Sequence, residues 1–182
     1  MLQEKIMRIA ESELILNERG AVYHLNLLPE EIAPIIITVG DPLRVSLISK
    51  YFDEIKVKQQ HREFITHTGR LGAKNISVVS TGIGTDNIDI VLQELDALVN
   101  IDLIERVAKP QLQSLNIIRI GTCGSLQKNV HSDSWIVSTH GLGIDNLLNF
   151  YVHTNNDEEK NILQQFIMHT KINVRFAQPY IA

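Results

Sequence analysis

The sequence predicts an α/β domain in which a mixed, twisted sheet is flanked by helices. Segments with strand-like and helix-like hydrophobic patterns alternate along the chain, as they do in α/β proteins. One of them, Ile35–Val39, is a continuous run of β-branched residues, which is typical of a strand buried on both faces. Three predicted strands end in glycine or small polar residues, which predicts that a functional site lies at the carboxyl ends of the strands.

The first predicted strand, Ile35–Val39, is followed by a helix with a clear start. The chain passes through Gly40, Asp41 and Pro42 before helical spacing resumes. Asp41 is a favoured N-cap, and Pro42 at the first helical position loses nothing by its missing N–H. The helix should continue to about Tyr51.

Two further strands and a second helix are predicted next. Residues 63–68 and 76–80 have strand-like composition and are joined by a segment with the glycine and asparagine of a turn. A helix follows over residues 86–99. Its apolar face would consist of Ile88, Leu92, Leu95 and Val99.

The remaining elements are shorter. Residues 100–116 are interpreted as a connection or a short extra helix that Pro110 ends. Residues 117–120 are predicted to be a short buried strand. Two more strands are predicted over 135–139 and 172–176. An amphipathic helix is predicted over 157–169, with an apolar face of Ile162, Leu163, Phe166 and Ile167.

Composition and charge exclude several functional classes. The 182 residues carry a net charge of −4 and are 44% hydrophobic, as expected for a single soluble domain over 1–182. Positive and negative residues are interspersed, so nothing predicts nucleic-acid binding. The apolar stretches fall short of the roughly 18 residues of a membrane span, and the charged N-terminus is unlike a signal peptide. Cys123 is the single cysteine, which excludes a disulfide framework and favours the cytoplasm.

The turn at Gly40, Asp41 and Pro42 is the first candidate binding site. A helix start presents unpaired backbone N–H groups and the positive end of the helix dipole, which favour an anion. Gly40 lets a ligand approach the backbone, and Arg44 in the first turn can add charge-assisted hydrogen bonds. A capped helix with a surface arginine explains the same residues without a ligand. This stretch alone does not separate the two interpretations.

The segment over residues 80–87 does not predict a dinucleotide site, although it contains Gly82 and Gly84. Asn87 stands where the dinucleotide motif requires glycine, and no strand ending in an acid follows about 20 residues later. The glycines either allow close approach of the backbone to a ligand or another strand, or form a tight turn.

Arg119 is the second candidate for anion binding. It lies in an otherwise apolar strand, where an unpaired charge is costly, so it needs an anionic partner. That partner is either a protein carboxylate or a ligand. Thr122, just after the strand, offers a hydroxyl group at the same edge.

The sequence lacks the signatures of metal and nucleophile sites. His24, His61 and His67 do not have the spacing of zinc ligands. Cys123 has no neighbouring group that would activate a thiolate, so we expect it to be a small buried residue. The Gly-x-Ser-x-Gly motif of serine hydrolases does not occur.

Five short motifs follow one another within about residues 22–150: VYHLNL, GDPLR, HREF, STGIG and RIGTCGSL. In this order they resemble the nucleoside phosphorylases of the trimeric/hexameric type, and most of all their uridine phosphorylase branch. The resemblance implies that family's fold and the phosphorolysis of a nucleoside, with uridine favoured. It also implies a homo-oligomer, with a dimer as the minimum unit and a hexamer as the expected assembly. Inorganic phosphate is the implied co-substrate, and no cofactor is implied.

The resemblance assigns roles to residues of the chain's own site. Gly40, Arg44 and Arg119 match residues that bind phosphate, and the two arginines are the expected catalytic groups. Thr122 matches a residue at the junction of phosphate and ribose. Asp41 matches the structural acid of the turn.

Other roles implied by the resemblance concern neighbouring subunits. Arg62 matches an arginine that reaches the phosphate of the neighbour's site, and His24 matches a histidine that closes the neighbour's site over the ribose 5′-hydroxyl. Some family members hold a monovalent cation between two subunits, at positions that match Glu63, Ile83 and Asn87. Asn87 departs from the serine found there, and Cys123 stands where threonine is commoner.

The implied reaction is attack of phosphate on the anomeric carbon through an oxocarbenium-like state, in which the protein supplies positioning and electrostatic stabilisation. The family's Gln/Arg pair for the pyrimidine and its Glu-Met-Glu stretch for the ribose hydroxyls do not occur in residues 151–182. We therefore expect a C-terminally incomplete version of the family fold, which binds phosphate without cleaving nucleosides. The alternatives are a purine nucleoside phosphorylase or nucleosidase of the same superfamily, or a non-catalytic remnant that binds phosphate or nucleoside.

Overall fold

The computed structural model describes residues 7–175 and 177–182, whose contacts form two compact units. The first unit ends at Thr122, and the second comprises Cys123–Ala182. The α-helices of the first unit are α1 (Leu43–Ser49) and α2 (Thr85–Asn100). Its strands are β1 (Ile35–Val39), β2 (Glu54–His61), β3 (Phe64–Leu71), β4 (Lys74–Ser80), β5 (Ile101–Asp102), β6 (Val107–Ala108) and β7 (Asn116–Arg119). A single domain over 1–182 stays a prediction.

A five-stranded mixed sheet forms the centre of the first unit, in the order β2-β3-β4-β1-β7. Strands β2, β3 and β4 are antiparallel, whereas β1 pairs in parallel with both β4 and β7. The predicted α/β fold with a mixed sheet is therefore confirmed. Because β4, β1 and β7 run in the same direction, their carboxyl ends lie on the same side of the sheet, and the chain leaves all three strands there.

Apolar clusters cover both faces of this sheet, since neighbouring strand residues point to opposite sides. On one face α2 and the segment over residues 14–27 pack onto Ile36, Phe64 and Val79. On the other face α1 packs onto the side chains of Val39 and Val78. The sheet thus separates α1 from α2, with one helix on each face.

Helix α2 is confirmed, but its buried face is rotated relative to the predicted one. Leu95 is buried as predicted, and Ile88 and Val99 are half-buried. Leu92 is exposed, and Val91 and Leu98 are buried instead. The segment over residues 14–27 packs against this helix together with the sheet. Helical periodicity carries no information about that second partner, which explains the rotated face.

Strand β7 occupies the expected position but is not buried. All four of its residues are exposed, in contrast to the buried strand predicted over 117–120. In the described part of the chain β1 is its partner strand, which leaves β7 at the edge of the sheet. An apolar run such as this one fits an edge strand as well as a central one, so composition alone did not place it.

The segment between α2 and β7 forms neither the plain connection nor the extra helix considered for residues 100–116. Strands β5 and β6 pair there as a small antiparallel hairpin. Arg106 lies between them with a positive φ of 59°, and its side chain donates hydrogen bonds to the carbonyl oxygens of Ile9, Ala10 and Leu14. These long-range contacts hold the segment and could not be read from local pattern.

The second unit contains β8 (Leu142–Gly143), α3 (Asp157–Thr170) and β9 (Tyr180–Ile181). Helix α3 confirms the prediction, and its four predicted apolar residues are half-buried. Asn156 and Glu159 form a capping box at its start. The strands predicted over 135–139 and 172–176 are wrong for the described residues. Residues 135–139 have no regular structure, 172–175 form no strand, and residue 176 lies outside the described residues.

None of the helices described in either unit has the length and apolar character needed to cross a membrane.

Candidate functional site

Three loops converge where β4, β1 and β7 end. Val39 is in register with Ser80, and Thr38 with Arg119, so the chain leaves the strands at neighbouring points. The loops enclose a cavity of about 630 Å³. Its lining consists of Gly40, Asp41, Pro42, Arg44, Glu63, Gly82, Ile83, Asn87, Arg119, Gly121 and Thr122. The residues predicted to share one site therefore lie together, and we call this space the oxyanion cavity.

Asp41 organises the turn that leads into α1. Its Oδ1 accepts a hydrogen bond from the Leu43 N–H at 2.9 Å, and its carbonyl oxygen accepts one from the Arg44 N–H at 3.0 Å. Pro42 has helical backbone angles, with φ −53° and ψ −34°. The Asp41 side chain thus binds the start of the helix as predicted, although α1 begins at Leu43, one residue after Pro42, and ends at Ser49, short of the predicted Tyr51.

The start of α1 is a weaker anion site than the sequence suggested. Asp41 already occupies the N–H groups of Leu43 and Arg44, and α1 has only 7 residues to contribute a dipole. The half-buried side chain of Arg44 is therefore the group of this turn that can attract an anion.

The guanidinium of Arg119 lies against two glycines. A Cβ on Gly121 would come within 2.5 Å of Arg119 Nη1, and one on Gly40 would lie 3.9 Å from Nη2. Neither Arg119 nor Arg44 makes a side-chain ion pair with any residue that the structure describes. Among the described residues, Arg119 therefore lacks the internal carboxylate partner that was the alternative to a ligand. Because Arg119 is exposed, the cost expected for a buried unpaired charge does not arise.

Glu63 and Asn87 form another wall of the cavity. Asn87 Nδ2 donates hydrogen bonds to Glu63 Oε1 at 2.9 Å and to the Ile83 carbonyl oxygen at 3.3 Å. The Glu63 backbone N–H and the Asn87 amide hold the pKa of the Glu63 carboxyl below its usual value, with a smaller contribution from Arg62. At Gly82, with φ +67°, a Cβ would lie 2.7 Å from Asn87 Nδ2, so a larger residue would not fit. The Asn87 amide thus links the two oxygens expected near a cation.

His24 and Arg62 do not line the oxyanion cavity of their own chain. His24 Nδ1 lies 2.8 Å from Glu94 Oε1, and the Glu94 carboxylate also accepts hydrogen bonds from the N–H groups of His24 and Leu25. The Arg62 guanidinium carbon lies 5.7 Å from the centre of the Tyr23 ring. Neither side chain therefore lines the cavity of its own chain, although Arg62 is the sequence neighbour of the cavity residue Glu63.

Sequence reasoning missed Gly121 and Glu94 and misjudged Cys123. Gly121 lies two residues after the end of β7, within the RIGTCGSL motif, so its position carried a usable signal. Glu94 is 70 residues from His24, and no local pattern connects them. Cys123 is exposed rather than buried, because it follows β7 in a stretch without helix or strand. Thr122 is the last residue of the first unit and lines the cavity as predicted.

This arrangement is suited to an oxyanion. Arg44 and Arg119 present planar, permanently charged groups from two different elements to one cavity. Guanidinium groups bind phosphate or carboxylate oxygens through paired, charge-assisted hydrogen bonds. Gly40 and Gly121 remove side chains that would fill the space around Arg119.

Comparison with known proteins gives a consistent match. A family model described as the phosphorylase superfamily matches residues 34–177. A uridine phosphorylase of Thermococcus kodakarensis is 30% identical over 147 residues, which are 81% of this chain and 48% of that protein. A DeoD-type purine nucleoside phosphorylase of Shewanella oneidensis is 32% identical over 127 residues, or 69% of this chain and 48% of that protein.

A solved structure agrees with these sequence matches. It is the crystal structure of a Trypanosoma brucei nucleoside phosphorylase described as showing uridine phosphorylase activity. It has a TM-score of 0.81 and 32% identity, and the match covers 93% of this chain and 57% of that chain. The chain spans about half the length of the curated relatives it matches.

Proposed function

The chain belongs to the phosphorylase superfamily, and from that membership we propose that it acts in the phosphorolysis of a nucleoside, with uridine favoured. The products are the free base and ribose 1-phosphate. The observation that carries the proposal is that Arg44 and Arg119 face one cavity, and neither forms an ion pair with a residue that the structure describes. The names of the relatives in the comparisons support uridine as the substrate. The corresponding role is pyrimidine salvage in the cytoplasm, as a pentosyltransferase.

In the proposed reaction, the protein side chains take little part in making or breaking covalent bonds. A phosphate oxygen forms a bond to the anomeric carbon while the glycosidic C–N bond breaks, and the base leaves with the electron pair and takes up a proton. Gly40, Arg44 and Arg119 hold the phosphate, and Thr122 lies at the junction of phosphate and ribose. Positioning and electrostatic stabilisation then provide the rate.

We further propose that each site is completed by a second copy of the chain. Arg62 would add a positive charge to the phosphate of the neighbouring site, and His24 would close that site over the ribose. The position of both residues outside their own cavity supports this arrangement. The minimum unit is then a dimer, and three dimers would form a hexamer.

A monovalent cation at Glu63, Ile83 and Asn87 stays a prediction. The Glu63 carboxylate and the Ile83 carbonyl provide oxygens, while the Asn87 amide nitrogen now bonds to both. A cation would have to displace this nitrogen or meet the other end of the amide. Phosphate binding measured in sodium, potassium and tetramethylammonium buffers tests the prediction, since a bound cation would make the affinity depend on the ion.

A purine nucleoside phosphorylase is the second candidate, because DeoD-type purine enzymes are also among the relatives. Both candidates require the phosphate contacts, and they differ in the base. A nucleosidase, in contrast, uses water and has no need of Arg44 and Arg119.

Calorimetric titration of the chain with inorganic phosphate, beside assays of base release from uridine and inosine, tests the proposal. We expect saturable phosphate binding and, where base is released, strict dependence on phosphate with uridine preferred. Base release in the absence of phosphate would favour a nucleosidase. A chain that binds no phosphate would overturn the proposal.

A further inference from the structure

A buried polar contact connects α1 to the sheet away from the oxyanion cavity. Ser49 Oγ lies 2.7 Å from His67 Nδ1, and the two residues are 2% and 8% exposed. Ser49 is the last residue of α1, and His67 lies in the middle of β3. Neither residue lines the cavity, so the proposed reaction leaves this pair without a role.

Helix α1 has few buried side chains for an element that carries a binding group. Val45 and Ser49 are buried and Ile48 is half-buried against the same apolar cluster, while Leu43 and Leu47 are 76% and 58% exposed. In the described part of the chain, the Ser49–His67 contact is the one side-chain hydrogen bond between α1 and the sheet. A short helix with so few buried contacts depends strongly on each of them.

The position of α1 decides where the Arg44 guanidinium meets a ligand. Ser49 is five residues from Arg44, or about 7.5 Å along the helix axis. Arg119 stands on β7, whose place is set by its pairing with β1. The distance between the two guanidinium groups therefore changes whenever α1 shifts against the sheet.

We infer that the Ser49–His67 hydrogen bond positions Arg44 for phosphate, which makes Ser49 and His67 positioning residues of the site. The inference rests on the proposed function, because it takes phosphate as the ligand. A buried hydrogen-bonding group that loses its partner is costly, so removal of the Ser49 hydroxyl favours movement of α1. Geometry matters here, since a shift of about 1 Å in a reacting group can cost on the order of a hundredfold.

Phosphate titration of the 182-residue chain tests the inference with Ser49→Ala. We expect affinity to fall roughly five- to twentyfold, which is part of the loss expected when a charge-assisted contact is removed outright. Thr68→Val is the matched control. The Thr68 hydroxyl is also buried and bonded at 2.7 Å, to Ser77, but the side chain points to the sheet face opposite α1. The control should lose stability similarly and keep its phosphate affinity.

A double-mutant cycle separates positioning from general destabilisation. In an Arg44→Ala background, Ser49→Ala should have no further effect on phosphate affinity, because it acts through Arg44. His67→Asn places a hydrogen-bonding group near the position of Nδ1 and should retain most of the affinity. His67→Leu removes that group and should reproduce Ser49→Ala.

The outcomes distinguish this inference from the proposed function. If wild type binds phosphate and Ser49→Ala binds it equally well, the inference is wrong while the proposed function stands. An equal loss in the Thr68→Val control, or an undiminished effect in the Arg44→Ala background, also overturns it. If wild type does not bind phosphate, the proposed function fails first and the inference fails with it.

Discussion

At the scale of single residues, the site depends on two arginines that reach one cavity from separate elements. Arg44 comes from α1 and Arg119 from β7, and neither is paired with a carboxylate among the described residues. We expect Arg44→Ala and Arg119→Ala each to weaken phosphate binding by about 1.5–3 kcal/mol, since each removes a charge-assisted contact. Calorimetry on the purified variants measures this directly.

The matched control for these variants is Arg70→Ala. Arg70 is paired with Asp53 and lies outside the cavity lining, so its loss removes the same charge from the chain without touching the site. Equal affinities for wild type and the two site variants would restore the interpretation of a capped helix with a surface arginine.

A glycine next to Arg119 provides a finer test at the residue scale. A Cβ on Gly121 would lie 2.5 Å from Arg119 Nη1, at the far end of a flexible side chain. Gly121→Ala should therefore displace the guanidinium and weaken phosphate binding, while thermal unfolding changes little. Gly124→Ala is the control, because nothing lies within 4 Å of a Cβ there. Strong thermal destabilisation of Gly121→Ala with unchanged affinity would contradict this account of the glycine.

Much of this site could be predicted at the residue scale. Gly40, Arg44 and Thr122 follow predicted strands and Arg119 lies near the end of one, and parallel strands have their carboxyl ends on the same side of a sheet. The Asp41 turn was also predictable, because capping is a local interaction. The sequence did not predict that Asp41 itself would occupy the helix N–H groups, since this depends on the detailed geometry of the turn.

At the scale of elements, the contact between α1 and the sheet makes stability depend on pH. Burial, with a smaller contribution from Lys58, lowers the pKa of His67 below its ordinary 6.5. The unfolded chain therefore takes up a proton at His67 more readily than the folded chain does. The contribution of neutral His67 to the free energy of unfolding is therefore complete above about pH 6.5. It is lost progressively as the pH falls below that value.

Urea unfolding measured between pH 8 and pH 5 tests this linkage. The midpoint should fall with decreasing pH more steeply in wild type than in His67→Asn, which cannot take up the proton. The difference between the two curves isolates His67 from the other histidines. Parallel curves for the two proteins would show that His67 titrates alike in the folded and unfolded chain.

The elements that the sequence predicted are those whose signals are local. The β-branched run of β1, the turn between β3 and β4, and the amphipathic pattern of α3 are all present. Strand β2 was missed because it alternates half-buried and exposed residues with only two apolar side chains, Ile55 and Val57. Strand β2 forms because it pairs with β3, and the local sequence of β2 alone does not show that pairing.

At the scale of the whole molecule, the placement of His24 and Arg62 bears on assembly. Neither lines the oxyanion cavity of its own chain, and His24 is tied to Glu94 on α2. The spacing of residues along the sequence cannot reveal a role in a neighbouring copy. The expected role of these residues in a neighbouring subunit came from the resemblance. Assemblies that mix two variant chains test it directly.

If Arg62 completes the neighbour's phosphate site, two damaged chains should restore one intact site between them. In a hybrid dimer of Arg44→Ala and Arg62→Ala chains, one site lacks both arginines and the other lacks neither. Random reassociation of equal amounts makes about half of the dimers hybrids, so about a quarter of all sites should regain wild-type affinity. Phosphate titration measures that fraction, and native mass spectrometry confirms the hybrids. A mixture of Arg44→Ala with Arg119→Ala should restore none, because both act in their own chain. Confirmed hybrids of the first pair without tight sites would place Arg62 in its own chain's site.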